Sequence, residues 1–555
     1  MHVQTIGFSV LTAIILSAFC FVFVSCDDGA QKKIAYYISP GGDDTNSGLS
    51  PSESWRSIDK VNTLHLEPGE KVLFEGGQTF DGTLLFDEED GGDPDNPVII
   101  GSYGEGRSTI HGGMSHGIFL TETNGWIVQD INVIGNGRNA NDKGVGIYID
   151  SARNVSINSV EALGFQIAGI LVTRGSENVR ITNSNAYDNG YAGITTGYYY
   201  GRRNVNKNIY VGYCRTFNNP GISDSTANFR DQSGSGIHFA RVEGGLIEYC
   251  EAYNNGYDFF HRGGNGPVGI WASSTSNLTI QYCISHDNKS YHISRDHKYA
   301  DGGGFDFDSG VKNSIIQYCY SYNNSAAGFL ICAYSAEERH LIENCIIRYS
   351  ISENDGHMGH KANLHIHNGS VIKNIQVYNN LFLNSGGRSN VSKGGTDPTN
   401  EFHFYNNIFL LRDKGEFVSI ESLSEGSFDL TQMPVFQGNL YWNYTHPGNW
   451  DGYESLAQWQ KVRGQEIIDG KTIGLNEDPL FRAFGYWKQL TDPTKLNGLT
   501  YIISSESPCI DAGIDLKESF GIDQGSSDFF GNKLHIGSIP DMGPFEHTKK
   551  TIVGN

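Results

Sequence analysis

The sequence predicts an all-β solenoid, a single-stranded parallel β-helix, and three observations predict it. The first is an internal repeat. Cys214, Cys250, Cys283, Cys319 and Cys345 each close a similar phrase (Gly-Tyr-Cys, Glu-Tyr-Cys, Gln-Tyr-Cys, Gln-Tyr-Cys, Glu-Asn-Cys) at spacings of 36, 33, 36 and 26 residues. The second is a glycine-opened short strand in the same rhythm: Gly193-Ile194, Gly236-Ile237, Gly269-Ile270, Gly304-Phe305 and Gly328-Phe329, with Asn363-Leu364 in phase. The third is composition: 69 Gly, 29 Tyr and 30 Phe among 555 residues, in β-branched and aromatic segments without helical periodicity. Units of this length cannot bury a face alone and must stack.

Stacking gives every column of the repeat a physical meaning, because equivalent residues then lie about 4.8 Å apart. The cysteine column is expected to face inward as small apolar groups rather than disulfides. Asn189, Asn219, Asn255, Asn288, Asn324 and Asn354 are expected at a tight bend, their amides bonding from coil to coil. Tyr187, Phe217, Tyr253, His286 and Tyr322 are expected to stack as rings, so His286 reads as structural.

The elements follow in order. Residues 1–25, with the apolar run Ile6 to Val24 leading into Ser25-Cys26, resemble a bacterial lipoprotein signal. That resemblance implies lipidation of Cys26 and an exported protein at the outer membrane, on its periplasmic or surface face. An uncleaved anchor is the alternative. Residues 26–35 would be a tether, 36–115 an N-terminal cap and first coils, 116–410 the β-helix core with active-site loops, and 411–555 the C-terminal coils with an irregular closing segment. The formal charge of −22 argues against nucleic acid as partner and leaves room for Ca2+. No organic cofactor and a monomer are expected. Tyr36-Tyr-Ile-Ser-Pro-Gly-Gly-Asp-Asp-Thr-Asn-Ser-Gly, Trp55-Arg-Ser-Ile, Ser507-Pro-Cys-Ile-Asp-Ala-Gly and Asp541-Met-Gly-Pro-Phe-Glu resemble the opening and closing segments of secreted right-handed β-helix proteins, many of which act on polysaccharides. The chain is also similar to the lyase-derived β-helix proteins of marine ulvan utilisation, which include an oligosaccharide dehydratase.

Counting by twos from the residue after the glycine makes Ile194, Ile237, Ile270, Phe305, Phe329 and Leu364 inward. Thr195, His238, Trp271, Asp306, Leu330 and His365 then face outward, followed by a second column of Gly197, Ala240, Ser273, Asp308, Cys332 and His367. Several coils are lengthened just before these strands, and the inserted loops carry His261, Arg262, Arg295, His297, Lys298 and His357. Loops raised on a rigid scaffold commonly carry function. Substrate binding is therefore expected at Trp271, His261, Arg262, His367 and Tyr199. Asp301, Asp306 and Asp308, set around consecutive glycines, offer hard oxygen ligands for calcium. Their segment resembles the Asp- and Gly-rich turn of β-helical pectate lyases.

Two chemistries and a non-catalytic role fit this face. In β-elimination on a uronic acid, Lys298 or His297 would take the C5 proton, while Arg295 or a cation on the aspartates neutralises the carboxylate. His238 or His365 would protonate the leaving oxygen. Such a carbon–oxygen lyase would leave a 4,5-unsaturated uronate on an anionic, ulvan-like glycan, as polysaccharide lyase or oligosaccharide dehydratase. Hydrolysis would instead use Asp306 and Asp308, with carboxyls ~6 to 7 Å apart. The third reading is a surface glycan-binding protein.

Overall fold

Hydrogen-bonded coils run through the computed structural model, which describes residues 34–140, 143–197, 204–223, 233–259, 266–289, 301–334, 340–358, 362–369, 372–395, 399, 401–420, 433–483, 490–499, 501–534 and 539–547. One wall is a parallel sheet of 12 strands whose spatial order is chain order. Its members are β1 (Leu84–Phe86), β2 (Ile118–Thr121), β3 (Val145–Asp150), β4 (Ala168–Thr173), β5 (Ala192–Thr195) and β6 (Ser235–Ala240), then β7 (Val268–Ser273), β8 (Gly303–Asp308), β9 (Phe329–Ala333), β10 (Ala362–Asn368), β11 (Ser389–Gly394) and β12 (Val418–Ile420). The remaining walls belong to a 25-stranded parallel sheet. Two of its strands, Asn124–Gly135 and Arg153–Leu163, each pair with both rows of neighbours. The chain is the parallel β-helix its repeats predict.

Alternation fills the interior as counted. Ile194, Ile237, Ile270, Phe305, Phe329 and Leu364 all lie in one buried apolar cluster. Cys214, Cys250, Cys283 and Cys319 are free and buried, each thiol close to the carbonyl two residues before it, as between Cys250 Sγ and Glu248 O at 3.3 Å. Cys345 departs from this column. Tyr320 pairs with Ile351, so the place after Cys319 falls to Ser350, 31 residues on, whose hydroxyl accepts the Cys319 N–H. The Glu-Asn-Cys phrase is a coincidence of letters within a longer coil.

The asparagine column is a continuous amide ladder: Asn189 Nδ2 donates to Asn219 Oδ1, Asn219 to Asn255, Asn255 to Asn288 and Asn288 to Asn324, at 2.9 to 3.2 Å. It ends on Asp355, not Asn354, with Asn324 Nδ2 donating to Asp355 Oδ1 at 2.9 Å. Asn354 sits one residue earlier at a left-handed φ of 54°. A second ladder, through Asn380, Asn407 and Asn439, ends on Glu466. The rings of Tyr187, Phe217, Tyr253, His286 and Tyr322 stack at 4.5 to 5.1 Å, as expected.

The C-terminal coils are closed by α1 (Leu456–Arg463), capped at its start by the Ser455 hydroxyl and at its end by Gly464 in a left-handed conformation. Its Leu456 and Trp459 join the interior cluster. The chain then returns along the outside, packing Leu496, Tyr501, Met542 and Phe545 onto Tyr320, Ile351, Leu381 and Ile408. Among the described residues no helix is long and apolar enough to cross a membrane. The run Ile6 to Val24 and Cys26 lie outside the described residues.

Candidate functional site

Register brings distant residues onto one outer wall. His238 stands beside Trp271, Trp271 beside Asp306, Asp306 beside Leu330, Leu330 beside His365, and His365 beside Ser392. This first outward column is nevertheless sealed. His238 keeps 4% of its surface and Asp306 2%, with Trp271 and His365 as deeply buried. Mutual packing is one cause: the His238 and Trp271 rings lie 3.5 Å apart and 4° from parallel. His238 Nδ1 is 3.2 Å from the Tyr191 hydroxyl and Nε2 is 3.1 Å from Ser273 Oγ, while Trp271 Nε1 donates to Ser235 Oγ at 3.1 Å.

These contacts correct three expectations. Burial, then the Arg241 charge, pulls His238 down to about 3, so its imidazole is neutral and both nitrogens are engaged. It is not placed to protonate a leaving oxygen. Trp271 is a wall element rather than an open sugar platform. His365, buried with Nδ1 at 2.8 Å from Ser392 Oγ, is likewise withdrawn from solvent.

Accessible chemistry lies in the second column and at the start of β8. Ser273, Asp308, Cys332 and His367 are partly exposed, as is Asp301. Asp308 neighbours Cys332, which neighbours His367. Asp308 Oδ1 accepts the Ser309 N–H at 2.5 Å, and Asp301 Oδ2 accepts the Gly266 N–H at 3.3 Å. The three carboxyls share a field. Burial, then Asp308 and Asp301, pushes Asp306 far above the carboxylate range. Burial, opposed by the Ser309 N–H and reinforced by Asp301, carries Asp308 up to about 7. Burial and these acids also push the Cys332 thiol up, so it is a neutral S–H beside Asp308.

Among the described residues no three His, Cys, Asp or Glu side chains are arranged to hold a metal ion. Asp306 Oδ1 is buried with no hydrogen-bond partner, and Asp301 and Asp308 each hold a backbone N–H.

Arg295, His297, Lys298, His261, Arg262 and Tyr199 lie outside the described residues. A residue the sequence reading overlooked is Arg388, buried immediately before β11 with its guanidinium on His357 Nδ1. The count of outward positions stopped at β10, one strand short of it.

No family model matches the chain. A curated relative, the lacto-N-biosidase of Bifidobacterium longum subsp. longum, is 40% identical over 81 residues, 14% of this chain. Those residues span 5% of that protein's length. Among solved structures, a GH136 lacto-N-biosidase from Eubacterium ramulus is 17% identical, covering 74% of this chain and 67% of that one at a TM-score of 0.48. Pectate lyase Pel9A is 14% identical over 94% of this chain and 98% of its own, at 0.42. The A-module of mannuronan C-5 epimerase AlgE4 from Azotobacter vinelandii is 14% identical over 65% and 91%, at 0.38. Likenesses at such scores carry no weight for the chemistry.

Proposed function

We propose that this protein is a carbohydrate-active enzyme that hydrolyses glycosidic bonds, with Asp308 as general acid and Asp301 as its partner carboxylate. One observation carries the reading: burial, reinforced by the charge of Asp301, leaves the partly exposed Asp308 holding its proton up to about pH 7. A glycosidic oxygen leaves only if it is protonated as the bond breaks, and the opposite side of the sugar needs an ionised carboxylate as nucleophile or base. Asp308 suits the first task. The second is assigned to Asp301, partly exposed and held by the Gly266 N–H. Asp306 is too deeply buried to touch a sugar, so the pair expected from the sequence changes one member. The 81 residues shared with a lacto-N-biosidase are in keeping with a glycosidase. Export and lipid anchoring at Cys26 belong to the same proposal.

β-Elimination is the second reading. It is favoured by chain order, since Arg295, His297 and Lys298 lie just before Asp301, which returns to the described structure at the edge of β8. An assay on acidic and neutral glycans separates the two. Hydrolysis yields new reducing ends without the ultraviolet absorbance of an unsaturated uronate. Absorbance with chain shortening means lyase, absorbance without it means dehydratase, and neither means glycan binding alone. Asp308→Asn and Asp301→Asn are each expected to lower kcat by about a thousandfold. Because the acid must be protonated, activity falls as pH rises through 7. No calcium step enters, so chelation with EDTA leaves the rate unchanged. An undiminished rate in Asp308→Asn would falsify the assignment.

A further inference from the structure

Arg388 is a buried cation that no acid meets at ion-pair distance among the described residues. It keeps 7% of its surface, and the groups it bonds are neutral. Nε donates to the Ser385 carbonyl at 2.6 Å, one Nη to Ser385 Oγ at 3.2 Å, and the other Nη to His357 Nδ1. A further N–H on each Nη is not used by these bonds. Burying a guanidinium is costly unless an anion meets it.

The nearby acids are engaged elsewhere. Asp413 accepts the Gly386 N–H on both oxygens, at 2.7 and 2.9 Å. Asp355 accepts the backbone and side-chain N–H groups of Asn324 and the Ser352 hydroxyl. Asp287 faces His286 at 2.8 Å and Lys289 at 4.0 Å. Asp355 and Asp413 offset only part of the effect of burial on Arg388, whose pKa is lowered. Burial and the Arg388 charge pull His357 down to about 4, so its lone pair, not a second proton, faces the guanidinium. Lys289 adds a half-exposed ammonium acting on His357.

This cluster stands at the edge that carries Asp301. The Ala326 N–H bonds Gly302 O, and the Met358 N–H bonds Ser325 O, which fixes the coil of His357 over that of Asp301. Arg388 immediately precedes β11, three strands beyond β8, a separation of about 14 Å along the stack that a short oligosaccharide spans.

We infer that Arg388, with His357 against its guanidinium, is a subsite for an oxyanion, the carboxylate or sulfate ester of an acidic glycan lying along this edge. A planar guanidinium with free N–H groups matches either oxyanion. The position of the glycan rests on the hydrolytic reading above; the binding itself does not.

Calorimetry on full-length Asp308→Asn protein measures binding without turnover. The probes are an oligogalacturonate and a carrageenan oligosaccharide, each beside its carboxyl-reduced or desulfated form. At least one acidic probe is expected to bind about tenfold more tightly than its neutral form, and which one identifies the anion. The preference should vanish in Arg388→Gln and partly survive in Arg388→Lys. If neither acidic probe binds, if acidic and neutral forms bind equally, or if Arg388→Gln keeps the preference, the inference is overturned. Should Arg388→Gln fail to fold, inorganic sulfate decides on the Arg388-bearing protein. It must weaken the acidic probe and leave the neutral one unaffected, and any other result counts against the subsite. Hydrolysis by the unsubstituted protein is scored separately, so either reading can fail alone.

Discussion

A methyl group added at Gly304 would lie 2.3 Å from Ser321 Oγ and 2.7 Å from the Gly328 carbonyl. Glycine opens these strands because the amide ladder and its serines fill the space where a Cβ would go. At Asn363 the pattern inverts: its own side chain turns in and donates to Ser352 Oγ at 2.8 Å. Gly304→Ala is expected to cost about 1–3 kcal/mol, read as a lowered thermal midpoint, and an unchanged midpoint would refute this account. The same alternation that made the glycine legible also gave the outward side of His238, Trp271 and Asp306. It says nothing of what covers a side chain. The exposure of those residues, decided by stacked rings and neighbouring hydroxyls, was therefore not in the periodicity.

Between coils, register was legible for as long as a marked residue recurred in each turn. It slipped after Cys319, where Ser350 and Asp355 take places that Cys345 and Asn354 were expected to fill, because serine and aspartate carry no repeat signature of their own. Both ladders finish on buried acids. Glu466 accepts from Asn439 Nδ2 at 2.8 Å and from the Tyr441 hydroxyl at 2.7 Å, yet burial outweighs these donors and raises it to about 7. Asp355 is raised to about 6 by the same cause. Above pH 4.5 an unfolded chain has released a proton that folded Glu466 still holds. Its contribution is thus complete below that pH and lost as pH rises through 7. Thermal midpoints of the native protein should fall across this window, and Glu466→Gln should flatten the fall by on the order of 2 kcal/mol. A parallel pH dependence in native protein and variant would count against the assignment.

For the molecule as a whole, the opening and closing segments were recognisable as ends, but where the closing segment docks was not. It crosses back over coils distant in sequence, laying Leu516, Ile522 and Leu534 on the column of Tyr318, Tyr349, Tyr378 and Tyr405. The Arg348 guanidinium and the Tyr378 hydroxyl both donate to the Asp523 carbonyl. Truncation before Leu516 would bare this apolar stripe while leaving the coils and Asp308 in place. Self-association detected by light scattering is the expected outcome, and a monodisperse monomer would show that the segment covers nothing the stack cannot leave wet.

From amide to amide the hydrogen passes in one sense along both ladders, toward the C-terminal coils, while the second Nδ2 hydrogen goes to a backbone carbonyl of the coil before. Their dipoles therefore add head to tail, like those of a helix, with the positive pole at the last rung. Asp355 and Glu466 stand at those poles, each an acceptor with no amide hydrogen to hand onward. The solenoid is in this sense a small electret with its terminus written in: a coil duplicated upstream of Asp355 would prolong the first row, and one added beyond it would have to begin another.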